Sequence, residues 1–575
     1  MDSNMSDGLP KRSSETNIKL LAKGIGGNLA LASAVTLSLI GGMVLVLVLA
    51  TVLILDSENP GTGLAISVAI TLVFNIAAFF ISPWLMDLSQ KWLYKTRWVS
   101  LGDIADRSPE TAKVIRKICA DKKLKHPRLG IIDDQNPTAF TYGSLPNSAR
   151  LVVSQGLFTY LDDEEIAAVY AHELGHIVHW DFAVMTVAST LIQICYLICV
   201  FARRMSRRGS SKSRDAFQTA ALVSYIFYLI GSYLLLYLSR VREYFADRFA
   251  AETTGNPNAL SRALVKIAYG IVEETSQAEE PSRLLEGTRA LGIYDAKAAT
   301  ATGTAYRIAS SPEKIGRVFL WDMFNPWGWW MELNSTHPLT GKRVRALSTY
   351  AEQLGLAIEF DMGKVMGEGR HLNKKRLYGN FAMDIVLFSS EFIGIVVGLI
   401  IGVTLISMSP IPNPMLAIAF PLIGLGIGVV FKGFVMYPHY KKAPETNILE
   451  LMSDPYASPL RGKPAMLEGE LIGRGQAGYK FGSDLKIQDK TGMLYLRYNS
   501  RFGPIGNFLF GMKRVQNLIG SSVASQGWFR RGNMPWMDLV QITTEEGTVV
   551  NSYHRFWSFV FGFGALLLGL LLIFS

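Results

Sequence analysis

Five residues, His172-Glu173-Leu174-Gly175-His176, bring two imidazoles and a carboxylate together at a spacing that suits metal-assisted hydrolysis. On a helix, positions four apart lie one turn above each other, so His172 and His176 can present both rings to one ion. Glu173 then lies beside them, placed to take a proton from a metal-activated water. With 8 histidines in the chain, accidental matches to this pattern are expected on the order of 0.01 per chain of this length. Catalytic zinc takes three protein ligands and keeps one position open, so two histidines need a partner. The best candidate is Glu243, within Ser239-Arg240-Val241-Arg242-Glu243-Tyr244-Phe245-Ala246-Asp247. Asp247 follows one turn later on the same face, where a carboxylate can accept the second ring N–H of a ligand histidine. The competing reading is a juxtamembrane ion pair of Glu243 or Asp247 with Arg240 or Arg242.

The motif needs a helix, and the residues before it supply one. Asp162 and Glu165 match a capping box, and Asp163 and Glu164 add negative charge at the positive end of the helix dipole. Ile166, Val169, Tyr170, Leu174 and Ile177 give it an apolar anchor, and His179 and Asp181 follow at its end, where Asp181 can orient a neighbouring group but is expected to finish the helix.

The chain around this helix is built for lipid. It has 575 residues, 49% of them hydrophobic, and a mean hydropathy of +0.23. Uncharged runs at Leu31 to Leu55, Leu64 to Met86, Phe182 to Ala202 and Ala216 to Ser239 are each long enough to cross a ~30 Å hydrocarbon core. A run from Phe392 to Phe431, broken at Pro410 to Pro414, reads as a helical hairpin, and Phe556 to Ser575 as a last span, which makes seven. The net charge of +10 is concentrated beside the spans, a positive-inside pattern rather than a nucleic-acid footprint. Lys11, Arg12, Lys19 and Lys23 precede the first span and Lys91, Lys95 and Arg97 follow the second, so the N-terminus and the catalytic unit are expected in the cytoplasm. The basic loop Arg203 to Arg214 breaks that rule, which leaves the full crossing of the 182–239 hairpin open. Three cysteines, Cys119, Cys195 and Cys199, exclude a disulfide framework.

The expected organisation is a mainly α, multi-span membrane protein. A tail (1–30) and a transmembrane hairpin (31–86) precede a catalytic unit (87–370) containing the hydrophobic hairpin 182–239. Glu273 to Lys314 reads as a mobile surface insert within that unit. A transmembrane hairpin (383–436), a β-rich unit (443–552) and a C-terminal span (556–575) follow. Short alternating segments at Met466 to Ile472, Leu485 to Gln488, Met493 to Tyr498, Val523 to Trp528 and Trp536 to Ile542 predict a small OB-like β-barrel, with Asp489 to Gly492 as a hairpin turn. Of Tyr495, Arg497, Tyr498, Trp528, Phe529, Arg530 and Arg531, the aromatics are expected to fill that barrel, and the unit to bind a protein partner of unknown identity; no nucleic acid is expected. Trp321, Trp327, Trp329 and Trp330 are expected at the membrane interface near the site or lining a hydrophobic substrate groove, and Glu391 facing protein or the headgroups.

Two spans, HELGH, a hydrophobic hairpin, the Ser239–Asp247 segment and a later His-Pro pair occur in an order that resembles the HtpX-type membrane zinc metalloproteases, relatives of the CAAX prenyl endopeptidases. The resemblance covers about residues 20 to 350, and its one departure, Phe245, leaves every acidic position in place. It implies a zincin-like catalytic domain holding one zinc ion per chain through His172, His176 and Glu243, with Asp247 as companion. Thr138-Ala139-Phe140-Thr141-Tyr142-Gly143 resembles the family's NAFxxG edge strand, which pairs with extended substrate; Thr138 replaces the usual Asn. Ser335-Thr336-His337-Pro338-Leu339-Thr340-Gly341-Lys342-Arg343 resembles its HPxxxxR segment, which implies an oxyanion role for His337 and a carboxylate-holding role for Arg343. Zinc would lower the pKa of a bound water from about 15.7 toward 7, with Glu173 as general base and then proton donor to the leaving amine. The implied function is a membrane-integral endopeptidase that cleaves membrane or membrane-associated proteins at the cytoplasmic face of the cell membrane, in quality control. Prenyl-protein processing and a catalytically silent scaffold are the alternatives.

Overall fold

The computed structural model describes residues 60–208, 211–270, 312–411 and 413–574. The expected tail, the first span Leu31 to Leu55 and all but the last residues of the Glu273 to Lys314 insert lie outside the described residues. Within them the chain is mainly helical, and six helices are long and apolar enough to cross a membrane: Val68–Trp92, Asp181–Arg207, Arg214–Thr254, Lys374–Met408, Leu416–Met436 and His554–Ile573.

Small residues bring the spans together. A Cβ on Gly394 would stand 2.1 Å from the Gly424 carbonyl oxygen, so the helices Lys374–Met408 and Leu416–Met436 meet backbone to backbone, as close-packed membrane helices do. Glu391, within the first of them, pairs with Lys432 of the second at 3.2 Å. The first helix begins well before its apolar run. Its N-terminal part carries Asp384, which is buried and holds Arg461 at 2.6 Å.

The catalytic unit is built on a four-stranded sheet of β1 (Arg97–Val99), β2 (Arg128–Ile132), β3 (Ala139–Tyr142) and β4 (Arg150–Ser154) in the order β1-β2-β4-β3. β2 and β4 run parallel; β3 runs antiparallel to β4 and forms the sheet's edge. Buried Ile131, Leu151 and Val153 meet Ile115 from the helix Pro109–Asp121 and Ala168 and Leu174 from the helix Asp163–Val178 in one core. Thr138 precedes the strand rather than belonging to it, and its main chain exchanges hydrogen bonds with Ser154.

The C-terminal unit contains β5 (Lys463–Arg474), β6 (Leu485–Gln488), β7 (Met493–Arg497), β8 (Ser522–Arg530), β9 (Trp536–Thr544) and β10 (Val549–Asn551). β9 pairs with both β7 and β8, which closes a five-stranded barrel, and β10 adds to β9. Asp489 and Gly492 close the β6–β7 turn with a 3.0 Å main-chain bond. This barrel is no tethered module. Its Leu467, Ile487, Leu494 and Phe529 share a single core with Val265, Tyr269, Val318 and Phe319 of the preceding unit. Arg530 and Arg531 are buried, paired with Asp538 at 2.5 Å and Asp322 at 3.2 Å.

The interface expectation fails for two of the four tryptophans. Trp329 and Trp330 are exposed, but Trp321 and Trp327 are buried, with indole N–H groups donating to the Ala457 carbonyl and to Asp384 at 2.9 Å each. The helix Pro312–Phe324 turns its Trp321 onto the barrel instead of into lipid.

Candidate metal centre and active site

The motif helix Asp163–Val178 starts at an observed capping box between Asp162 and Glu165. Glu165 does more than cap: fully buried, it also meets Lys266 at 2.7 Å and Arg262 at 3.0 Å. The helix crosses the long helix Ser211–Thr254 at Gly175, where an added Cβ would meet Ala246 Cα at 3.1 Å. That close crossing brings His172 and His176 against Glu243.

The three side chains converge. His172 Nε2 lies 3.2 Å from His176 Nε2 and 3.6 Å from Glu243 Oε2, and His176 Nε2 lies 3.7 Å from Glu243 Oε1. Tetrahedral zinc with bonds of about 2.0–2.1 Å sets its ligand atoms about 3.3 Å apart, so the triangle has the size the ion requires. Glu243 Oε2 is buried and accepts no hydrogen bond, although Arg343 lies 3.2 Å away. A buried carboxylate oxygen with an ion pair but no hydrogen bond keeps a lone pair open to a further ligand, and with the size of the triangle the residues present therefore fit the metal.

Each histidine has its own carboxylate. His172 Nδ1 lies 3.0 Å from Asp247 Oδ1, and His176 Nδ1 lies 2.6 Å from Asp181 Oδ2. These contacts fix Nδ1 as the proton-bearing nitrogen and leave both Nε2 atoms facing Glu243, the arrangement that orients imidazole ligands. Asp181 thus does not merely end the helix: it is the orienting partner of His176. Burial works against a charge on His172, yet the carboxylates of Asp247 and Glu243 beside its ring carry its pKa up to about 9. His179 differs; burial pushes it down to about 4, and its ring packs on Phe245 and Phe249.

The arginines of the second segment are engaged elsewhere. Arg242 donates to Asp181 at 2.5 Å and to the His179 carbonyl at 2.5 Å. Arg240 donates to the carbonyls of Glu332 and Ser335 at 2.7 and 2.8 Å, just before His337. The cation that meets Glu243 and Asp247 is instead Arg343, from the helix Thr340–Gln353, which gives Asp247 two bonds of 2.8 and 2.5 Å. His337 is largely exposed at the mouth, its Nε2 3.2 Å from Glu243 Oε1.

Glu173 accepts a 2.5 Å hydrogen bond from the Thr141 hydroxyl. Thr141 lies on β3, so the strand with the open edge also holds the candidate base; Ala139, Phe140 and Tyr142 complete that strand. The residue types alone carried no sign of this contact, nor of two contacts from the barrel. Lys486, buried, donates to Asn136 at 2.6 Å, and Asn136 in turn donates to the Arg474 carbonyl at 3.1 Å, close before β3. Asp322 accepts the Gly341 N–H at 2.8 Å while paired with Arg531, close before Arg343.

Residues 105–351 match the profile of Peptidase family M48. A Protease HtpX homolog of Methylibium petroleiphilum is 30% identical over 263 residues, 44% of this chain and 90% of that protein. Protease HtpX homolog 2 of Methanosarcina mazei is 32% identical over 261 residues, 45% of this chain and 78% of that protein. Among solved structures, that of S. mikatae Ste24p aligns at 18% identity over 55% of this chain and 65% of that one, with a TM-score of 0.31.

Proposed function

We propose, from the premise that this chain belongs to peptidase family M48 and is an HtpX-type metalloprotease, that it is a zinc-dependent endopeptidase of a multi-pass cell-membrane protein. Its substrates on this reading are membrane or membrane-associated proteins, cut at the cytoplasmic face in the course of quality control. We read the catalytic unit as zincin-like and the barrel as OB-like. The observation that carries the proposal is the His172, His176 and Glu243 triangle beside Glu173 and the open edge of β3.

His172, His176 and Glu243 would hold one zinc ion, which supplies Lewis acidity and a water of lowered pKa. The chain's own residues do the rest. Main-chain groups of Ala139 to Tyr142 bind an extended substrate as an added strand. Glu173, held by Thr141, takes the proton of the attacking water and returns it to the leaving amine. His337 opposes the charge that develops on the scissile carbonyl oxygen. Asp247, Asp181 and Arg343 hold the ligands in register.

The test is Glu173→Gln in full-length protein, expected to keep stoichiometric zinc and to lose peptide hydrolysis. The same variant, expressed in native membranes, should trap substrates for identification. A Gln variant that still hydrolyses peptide removes Glu173 from the mechanism, and a parent protein that binds no zinc sinks the metalloprotease reading.

A further inference from the structure

The helix Gly503–Lys513, inserted between β7 and β8, turns all of its large apolar side chains but Phe510 toward the outside. Its buried face is Gly503, Gly506, Phe510 and Gly511. Ile505, Phe508, Leu509 and Met512 are exposed, Ile505 by 74%. Their spacing of three, four and seven places them on one helical stripe, and Phe502, 78% exposed, extends it. An apolar stripe of this kind left in water is unfavourable and marks a contact surface.

Both halves of this helix are tied to the ends of apolar helices. At its start, the Trp557 indole N–H, in the first turn of His554–Ile573, donates to the Ser500 carbonyl at 2.9 Å. Further along, Phe508 stacks on Phe481 with ring centroids 4.9 Å apart. The neighbouring Lys480 N–H donates to the Leu93 carbonyl at 3.1 Å, just past the helix Pro60–Trp92. Two spans that end beside one short helix fix its height: it lies where both leave the hydrocarbon. Arg501, Lys513 and Arg514, all exposed, flank the stripe, as cations do beside anionic headgroups.

We propose that Gly503–Lys513 is an interfacial helix whose stripe, Phe502, Ile505, Phe508, Leu509 and Met512, enters the lipid of the leaflet on the catalytic side and seats the barrel on the bilayer. The occupant of this surface is the acyl boundary of the bilayer that the chain itself spans. The proposal rests on the spanning reading of the apolar helices and is independent of proteolysis. Because the barrel also holds Asn136 through Lys486, seating it sets the height of β3 above the membrane.

Full-length protein in vesicles of phosphatidylcholine and phosphatidylglycerol, with its three native cysteines left buried, provides the test. A fluorophore is placed singly on Leu509→Cys, Ile505→Cys, Glu546→Cys in the β9–β10 turn, or Ile400→Cys in the span Lys374–Met408. Lipid carrying a spin label on the acyl chain should quench positions 509 and 505 several-fold more than position 546, and aqueous iodide should show the reverse order. Lipid quenching at 509 and 505 no stronger than at 546 overturns the proposal. Iodide access would then mean a face in water, and its absence a face covered by protein or by a second copy. An unquenched label at 400 overturns the spanning reading and this proposal with it, whereas quenching at 400 but not at 509 and 505 overturns this proposal alone.

Discussion

Replacing Asp247 by Asn changes one charge and almost no volume, at a side chain that is fully buried. Asp247 has two tasks: it accepts from His172 Nδ1 at 3.0 Å, and it accepts two bonds from Arg343 at 2.8 and 2.5 Å. Asn can satisfy only part of this, because its NH2 group must face one of the two donors. Loss of the orienting carboxylate should weaken zinc about 10–100-fold, or about 1.4–2.8 kcal/mol. Arg343 is then left with Glu243 alone, at 3.2 Å, and an imperfectly compensated buried cation costs up to about 3–5 kcal/mol of stability. Competition against a chromophoric chelator reads the first effect, and thermal unfolding of the metal-free protein in detergent reads the second. The double variant Asp247→Asn/Arg343→Gln separates them. With the stranded cation removed, stability should partly return while zinc stays weak. An Asp247→Asn protein that binds zinc as tightly as its parent would refute the orienting role, and recovery of both properties together in the double variant would show that Arg343, not His172, is what Asp247 serves.

Three more outcomes are expected. Thr141→Val should keep zinc and KM but lose about 10–100-fold in kcat, the worth of about 1.5–3 kcal/mol for a hydrogen bond to a charged group, with Thr141→Ser restoring most of it; an unchanged kcat would mean that Glu173 needs no such support. Lys486→Met should destabilise the fold by about 1–3 kcal/mol and raise KM for extended peptides more than it lowers kcat, since Asn136 lies close before β3; steady-state kinetics distinguish this from a purely structural loss, which would lower active fraction at constant KM. For His172, the folded metal-free pKa of about 9 lies above the ordinary 6.5, so its protonated form contributes stability that is fully present below about 6.5 and lost as pH rises through about 9, at most on the order of 3 kcal/mol. The melting temperature of the metal-free protein should fall across that window while zinc binding releases a proton and tightens, and calorimetry in buffers of different ionisation enthalpy detects the proton directly.

The legible part of this protein is the part in which a residue's function follows from its spacing along one helix. The four-residue separation of His172 and His176, and of Glu243 and Asp247, survives folding unchanged because a helix fixes it locally. The six apolar helices and the short alternating strands were readable for the same reason: period and length are local properties. Beyond the ligand set and Arg343, which the motifs carried, most contacts made across large sequence separation escaped. Asp181 read first as a helix terminator because Arg242, which fixes its carboxylate toward the nearby ring of His176, reaches it only after the hairpin has folded back. Trp321 and Trp327 looked like interfacial aromatics because nothing near them in sequence announces Ala457 and Asp384.

The barrel is the largest of these omissions, and its consequence is mechanical. Lys486 grips the approach to β3 from one side, and Arg531, through Asp322, grips the start of the helix that carries Arg343 from the other. On the proposed mechanism the edge strand and Arg343 must stay in fixed register with the metal ligands, since a displacement of about 1 Å at the reacting groups can cost on the order of 100-fold in rate. Here both elements are clamped by buried contacts of charged side chains, a lysine hydrogen bond and an ion pair, from a unit that lies outside the matched stretch 105–351. Such contacts contribute little net stability, because desolvation consumes most of their attraction, but they are costly to break singly. They therefore specify geometry more than they stabilise it, and the barrel is better understood as part of the active site's frame than as a separate binding module.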